Sequence, residues 1–231
     1  MRFSRYFLLS VFAITVGCYL FVDQPFQSFF FDAFHNKWVL NAKEPLPRLI
    51  FYNIPKNCFG CLIALLFLRA FILPRGGRFL VVASMVTLTP IIVGFLKLIS
   101  GHECPKDLLQ FGGSQTHLAF LDAIQVGAGR CFPAGHASAG FGLYPVMALF
   151  SKPRKWIVFF VVTLLGNLMA FYQVANGNHF LSHQIATMGL AFATYMVTET
   201  LLKKLSNPLN QVLATVQKLV RKIPLKPPSL D

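Results

Sequence analysis

Residues 79–96 read FLVVASMVTLTPIIVGFL, a run with no charged side chain between Arg78 and Lys97. A bilayer span needs about 20 mostly apolar residues, and this run meets that requirement almost alone. Five further stretches come close: Tyr6–Val22, Asn57–Leu73, Ala134–Phe150, Trp156–Val174 and Ile185–Leu202. The whole 231-residue chain is 55% hydrophobic and only 13% charged, with 25 phenylalanines. Soluble domains carry about 25% charged residues, so a disordered chain is excluded and the composition argues strongly against a soluble globule. The expectation is an all-α bundle of six transmembrane helices. The first stretch follows Arg2 and Arg5 as a signal peptide would, and Thr15-Val16-Gly17-Cys18 faintly resembles a lipoprotein cleavage site. Five more apolar segments follow it, so it reads as an uncleaved helix.

Six spans put both termini on one side. With that side in the cytoplasm, the N-terminus, the second-to-third and fourth-to-fifth connections and the tail hold thirteen of the 21 Lys and Arg. This is the positive-inside pattern of a bacterial inner-membrane protein, so the net charge of +13 is topological and no nucleic-acid partner is implied. Arg69 snorkels near an inner helix end. Residues 1–202 form the membrane domain and 203–231 a basic cytoplasmic tail. In that tail Val212–Val220 reads as an interfacial helix, and Pro224, Pro227 and Pro228 end any structure.

The opposite face, the periplasmic one, is chemically different. It holds Asp23, Asp32, Glu44, Glu103, Asp107 and Asp122, and all six histidines fall there or at outer helix ends. Two long outer loops, 23–56 and 97–133, mix aromatic, polar and glycine positions. The first is expected to form interfacial helical turns, and the second to fold over the mouth of the bundle as an active-site loop.

Three clusters stand at those outer ends. Lys97 is followed by Cys104-Pro105-Lys106-Asp107-Leu108; then come Gly129-Arg130-Cys131-Phe132-Pro133-Ala134-Gly135-His136-Ala137-Ser138 and Gln173-Val174-Ala175-Asn176-Gly177-Asn178-His179-Phe180-Leu181-Ser182-His183. Lys and Arg neutralise phosphate oxygens, a helix start at Pro-Ala-Gly-His points free N–H groups at an anion, and two histidines supply a nucleophile and a general acid.

The set resembles the three-part signature of the type 2 phosphatidic acid phosphatase superfamily, and is closest to a divergent bacterial branch with Cys-Pro-x-Asp-Leu, Cys-Phe-Pro-Ala-Gly-His and His-Phe-Leu-Ser-His. Lys97 and Pro105 keep the first spacing, with Cys104 at the family's arginine position. Ala134 replaces the serine of Pro-Ser-Gly-His. Tyr172 and Gln173 stand where Ser-Arg would be, His183 stands where the aspartate would be, and Asn176 where the branch places an arginine. The resemblance implies that His179 is the nucleophile and that His136 protonates the leaving group. Lys97 and the N–H groups of Gly135 and His136 would hold the phosphate, joined by Asn176. Arg130 is the nearest replacement for the missing arginine. His183, one helical turn after His179, would accept the N–H of its second ring nitrogen.

Each residue also has a plainer reading. Lys97 alone would be a snorkelling lysine, His136 a cap, His179 an interfacial polar residue, and His35 and His117 solvated histidines. Cys18 and the Cys58–Cys61 pair suit helix packing. Cys104 and Cys131 share one loop; in an oxidising periplasm they would form a disulfide, and otherwise two thiols packed beneath it. No compact metal-ligand spacing and no cofactor motif is present. The function implied is removal of phosphate from a lipid mono- or diphosphate, through a phosphohistidine. The alternatives are phosphate transfer between lipids and a lipid-binding or transport protein of the same fold. Oligomeric state is left open.

Overall fold

A computed structural model describes residues 2–222, so Pro224, Pro227 and Pro228 lie outside the described residues. Helix α1 (Arg2–Gly17) runs through a π-helical turn at Cys18–Val22 into α2 (Asp23–Ser28). A short antiparallel hairpin follows, β1 (Phe31–Asp32) and β2 (Lys37–Trp38), with Phe31 opposite Trp38. Then come α3 (Pro45–Arg48), a second π-helical turn, α4 (Ile54–Ile72) and α5 (Gly77–Ile99). The outer loop carries two 3-10 turns and α6 (Phe120–Val126). Last are α7 (Ser138–Phe141), a 3-10 segment at Tyr144–Leu149, α8 (Arg154–Ala175) and α9 (Leu181–Lys222).

The described residues are all-α apart from the hairpin, and among them five helical stretches are long and apolar enough to cross a membrane: Phe3–Ser28, Pro45–Ile72, Gly77–Ile99, Arg154–Ala175 and Leu181–Leu219. The expected fourth span is shorter, Ser138–Leu149, and comes in two pieces. Its composition explains the break, since Gly140, Gly142 and Pro145 all lower helix stability. It survives because it runs through the centre. Ala134, Ala137, Phe141, Tyr144 and Met147 are buried against Phe159, Val162 and Phe192 of the flanking helices. Irregular backbone at membrane depth is tolerated where protein surrounds it. Gly140 lies so close to the backbone of Gly166 that a Cβ on it would overlap. On the outside, Phe12, Phe95 and Leu164 are more than 60% exposed, as lipid-facing side chains should be.

The two outer loops hold more structure than interfacial turns. Residues 23–56 contain the hairpin, and the second span begins at Pro45, twelve residues before its most apolar part. In the loop 97–133, Gly101 bridges Gly129 in antiparallel fashion, and the Cys131 N–H donates to the His102 carbonyl at 2.9 Å. Cys104 and Cys131 form a disulfide with Cα atoms 5.1 Å apart. The basic tail does not begin a separate helix. α9 continues through Pro208 to Lys222 and packs back on the α4–α5 turn, where the Gly77 N–H donates to Asn210 Oδ1 at 2.8 Å and Gln217 Nε2 donates to the Phe71 carbonyl.

Candidate active site

Two connections present the site. The first is the turn between the outer loop and α7, which carries His136. Ala134 N–H donates to the His183 carbonyl at 3.2 Å, and Thr187 Oγ1 donates to the Ala134 carbonyl at 3.0 Å, so this turn is tied to the start of α9. The second is the α8–α9 connection. Helix α8 ends because Gly177 takes a left-handed φ of +73°, and a side chain there would overlap the Trp38 ring. The N–H groups of Asn178 and His179 then fold back onto the Gln173 carbonyl, at 2.9 and 3.3 Å. This closes the last turn and fixes where His179 stands.

The two histidines meet. His136 Nδ1 lies 3.3 Å from His179 Nε2. Lys97, at the outer end of α5, stretches over the same turn: a Cβ built on Gly135 would stand 4.0 Å from its Nζ. Among the described residues the N–H groups of Gly135 and His136 donate to no backbone carbonyl. His136 opens onto a cleft of about 350 Å³, bounded by Tyr52, Lys56 and Phe59 from the α4 side and by Pro90 of α5. Tyr52 faces the His136 ring at 5.1 Å between centroids.

His136 sits in the turn before α7 and His179 between α8 and α9, both outside the spanning helices. Burial pushes His136 down to about 4 from 6.5, and the positive charges of Lys97, Lys106 and Lys56 push the same way. His179 is held well below the ordinary histidine range by burial first, then by His183, His136 and Lys97, with a main-chain hydrogen bond to the Cys131 carbonyl opposing. Both rings are therefore neutral at pH 7, and a neutral ring is what a nitrogen nucleophile requires. The cost appears in stability. The unfolded chain takes up protons near 6.5, whereas folded His136 resists them until about 4. Stability should fall as pH drops through that window, by something of the order of 3 kcal/mol from this group. Thermal unfolding measured from pH 7 to pH 4 should show the fall, and His136→Asn should flatten it.

Not every expected residue joins this group. Asn176 is buried; its Oδ1 accepts the Asn178 N–H at 3.3 Å, and its Nδ2 has no partner among the described residues. Arg130 is exposed and makes no hydrogen bond or ion pair among the described residues. It does not enter the cluster, because the disulfide anchors its neighbour Cys131 while leaving its own side chain on the outer surface. His183 does not hold His179. Their rings meet edge to face at 5.9 Å, and His183 Nδ1 has no partner among the described residues. It faces instead, with His102 and Tyr19, an enclosed cavity of about 10 Å³, the space of one water molecule. The group at His179 Nδ1 is Cys131 Sγ, 3.2 Å away. The ligand atoms of Cys104, Cys131 and His179 all lie within 4.8 Å of one another, but joined sulfurs offer no thiolate to a metal.

Sequence reasoning missed Lys56 and Tyr52, which arrive from a helix forty residues before the first cluster. It also missed Asp23, one acid among six on that face. Asp23 is buried and accepts both the Ser182 N–H, at 2.9 Å, and the Ser182 hydroxyl. The first span thus caps α9 from across the bundle. Gln27, one turn further on, donates to the Val174 carbonyl at 2.7 Å. An Asp followed by Gln four residues later at the end of an apolar run was the available signal. Asp23→Ala would leave two buried donors unpaired, costing about 1–3 kcal/mol each. The expected result is a lower unfolding temperature in detergent together with reduced turnover, because the α8–α9 connection loosens.

A family model described as the PAP2 superfamily matches residues 78–205, more than half of the chain. No curated protein and no solved structure matches it.

Proposed function

Because this chain belongs to the PAP2 superfamily, its chemistry is of the phosphatase type on phosphate esters, and we propose that it removes phosphate from a lipid mono- or diphosphate through a phosphohistidine on His179. The observation that carries this reading is the facing pair, His136 Nδ1 and His179 Nε2 at 3.3 Å, beneath Lys97. A phosphoryl group entering the site parts the two rings and takes the place of their contact. Nε2 of His179 attacks phosphorus; the N–P bond forms as the bond to the leaving oxygen breaks, and that oxygen takes a proton from His136. That ring is neutral before substrate binds and takes up a proton from solvent when the negative phosphate arrives beside it. His136 then removes a proton from the water that attacks the phosphohistidine, which releases phosphate and restores both rings. Lys97, Lys56 and Lys106, the cations that act on His136, supply the charge that arginines would otherwise bring, although as point charges they lack the bidentate fork.

A lipid substrate is favoured by the cleft. It lies between α4 and α5, whose outward residues Leu65 and Ile91 are exposed apolar groups, so a tail can stay in the bilayer while the phosphate reaches His136. The segregation of thirteen basic residues from the histidines supports an inner membrane with the site on the periplasmic face. It also supports residues 1–202 as the working domain and 203–231 as its cytoplasmic tail. The test is phosphate release by the purified protein in micelles. The substrates are phosphatidic acid, phosphatidylglycerol phosphate, an isoprenoid diphosphate and lipid A, beside soluble glycerol phosphate. At least one lipid should react about 100-fold faster than the soluble ester, since tail binding contributes to the transition state. A folded protein that releases phosphate from none of them overturns the reading. Label moving into an added acceptor lipid in place of water would make it a transferase.

A further inference from the structure

A histidine that attacks with Nε2 must keep its proton on Nδ1, and among the described residues the side chain at Nδ1 is a half-cystine. Cys131 Sγ lies 3.2 Å from His179 Nδ1 and is bonded to Cys104. A disulfide sulfur has no hydrogen and can only accept; a thiol can donate. We infer that the Cys104–Cys131 disulfide is a redox-sensitive positioning device for the nucleophile: oxidised, it holds His179 in the Nδ1–H tautomer, and reduced, it releases or inverts that tautomer. The inference rests on the phosphohistidine reading above.

The hydrogen-bond chain runs in one direction when the bond is intact. His136 Nδ1–H donates to His179 Nε2, and His179 Nδ1–H donates to Cys131. The lone pair that will meet phosphorus is thereby on Nε2. Reduction by a dithiol breaks the S–S bond, turns the dithiol into its own disulfide and leaves two protonated cysteines. The Cys131 thiol now has one proton and two acceptors in reach: His179 Nδ1 and the Asn178 carbonyl, 2.9 Å from Sγ. The imidazole nitrogen is the more basic. A thiol that donates to it moves the ring proton to Nε2, where it blocks attack, and the bond to His136 reverses. The pairing also closes the outer loop over the site, joining its first turn to the strand-like stretch before His136. The titratable and charged groups facing His179 are His136, His183 and Lys97, beside the Cys131 sulfur at Nδ1. Of these, only Cys131 changes with redox state.

Three measurements on the purified full-length protein test this. Reduction under native conditions should lower kcat for a lipid phosphate about tenfold, the factor one neutral hydrogen bond commands, and reoxidation should restore it. Cys104→Ala leaves a thiol at position 131; its activity should rise as pH climbs through the thiol range, about 8.5, because a thiolate is a strong acceptor for the Nδ1–H. Cys104→Ala/Cys131→Ala has lost the same disulfide and keeps Lys97, and it should show no such rise. A purely structural disulfide would leave the two variants with one pH profile, and that result overturns the inference. The third reading does not need turnover. Nitrogen-15 shifts of the His179 ring in the oxidised protein should show the Nδ1–H tautomer. The Nε2–H tautomer there would overturn the inference even if no substrate were found, whereas an Nδ1–H ring in a protein without phosphatase activity would defeat only the functional reading.

Discussion

His179→Ala is expected to lower turnover on any lipid phosphate by at least about 10⁴-fold, the scale on which loss of a covalent nucleophile is felt. The protein should remain folded, because His179 is held by backbone bonds to Gln173 that alanine can also make. The loss should be independent of leaving group, since no substrate can form the N–P bond without that ring. KM should change little, because in the proposed mechanism the phosphate is held by Lys97 and its neighbours. A variant with intact turnover would remove His179 from the chemistry and the proposed intermediate with it.

His136→Ala should act differently, and the difference is diagnostic. Its proposed role is to hand a proton to the departing oxygen, a contribution of about 10²–10⁴-fold. An alkyl leaving group such as diacylglycerol needs that proton, whereas a nitrophenolate does not. The variant should therefore lose most of its rate on phosphatidic acid and much less of its first-step rate on a nitrophenyl phosphate ester. It should then accumulate phosphoenzyme, because the same ring activates water in the second step. Equal losses on both substrates would mean that His136 holds phosphate rather than moving a proton.

The parts of the molecule that sequence exposes best are those with short-range signals. The run 79–96 and its companions announce a helical membrane bundle because a charge-free stretch of that length has few other uses. Lys97, Gly135, His136 and His179 were legible as a group because three clusters lie at outer helix ends, and they do converge in space. What stayed hidden depends on crossings between distant helices. Tyr52 and Lys56 approach His136 only because α4 packs on α5. Asp23 looks like an ordinary acid after an apolar run until α9 begins beside it. The broken segment 138–149 has the hydropathy of a span, and hydropathy does not register glycines and a proline that shorten a helix. His183 looked like the partner of His179 from a four-residue spacing, but α9 starts only at Leu181. His179 therefore precedes the helix, and the spacing rule does not apply. Arg130 was expected inside because a positive charge was needed; the cations that act on His136 are lysines from three segments.

The central claim is a phosphoryl group carried on His179, and it can be observed directly. Wild-type protein mixed with a radiolabelled lipid phosphate and quenched in alkali within the first turnover should carry label that survives base and is lost in acid. Peptide mapping should place one phosphoryl group on His179, and His179→Ala should carry none. Steady release of phosphate with no labelled protein at any quench time, or label on another residue, would contradict the account.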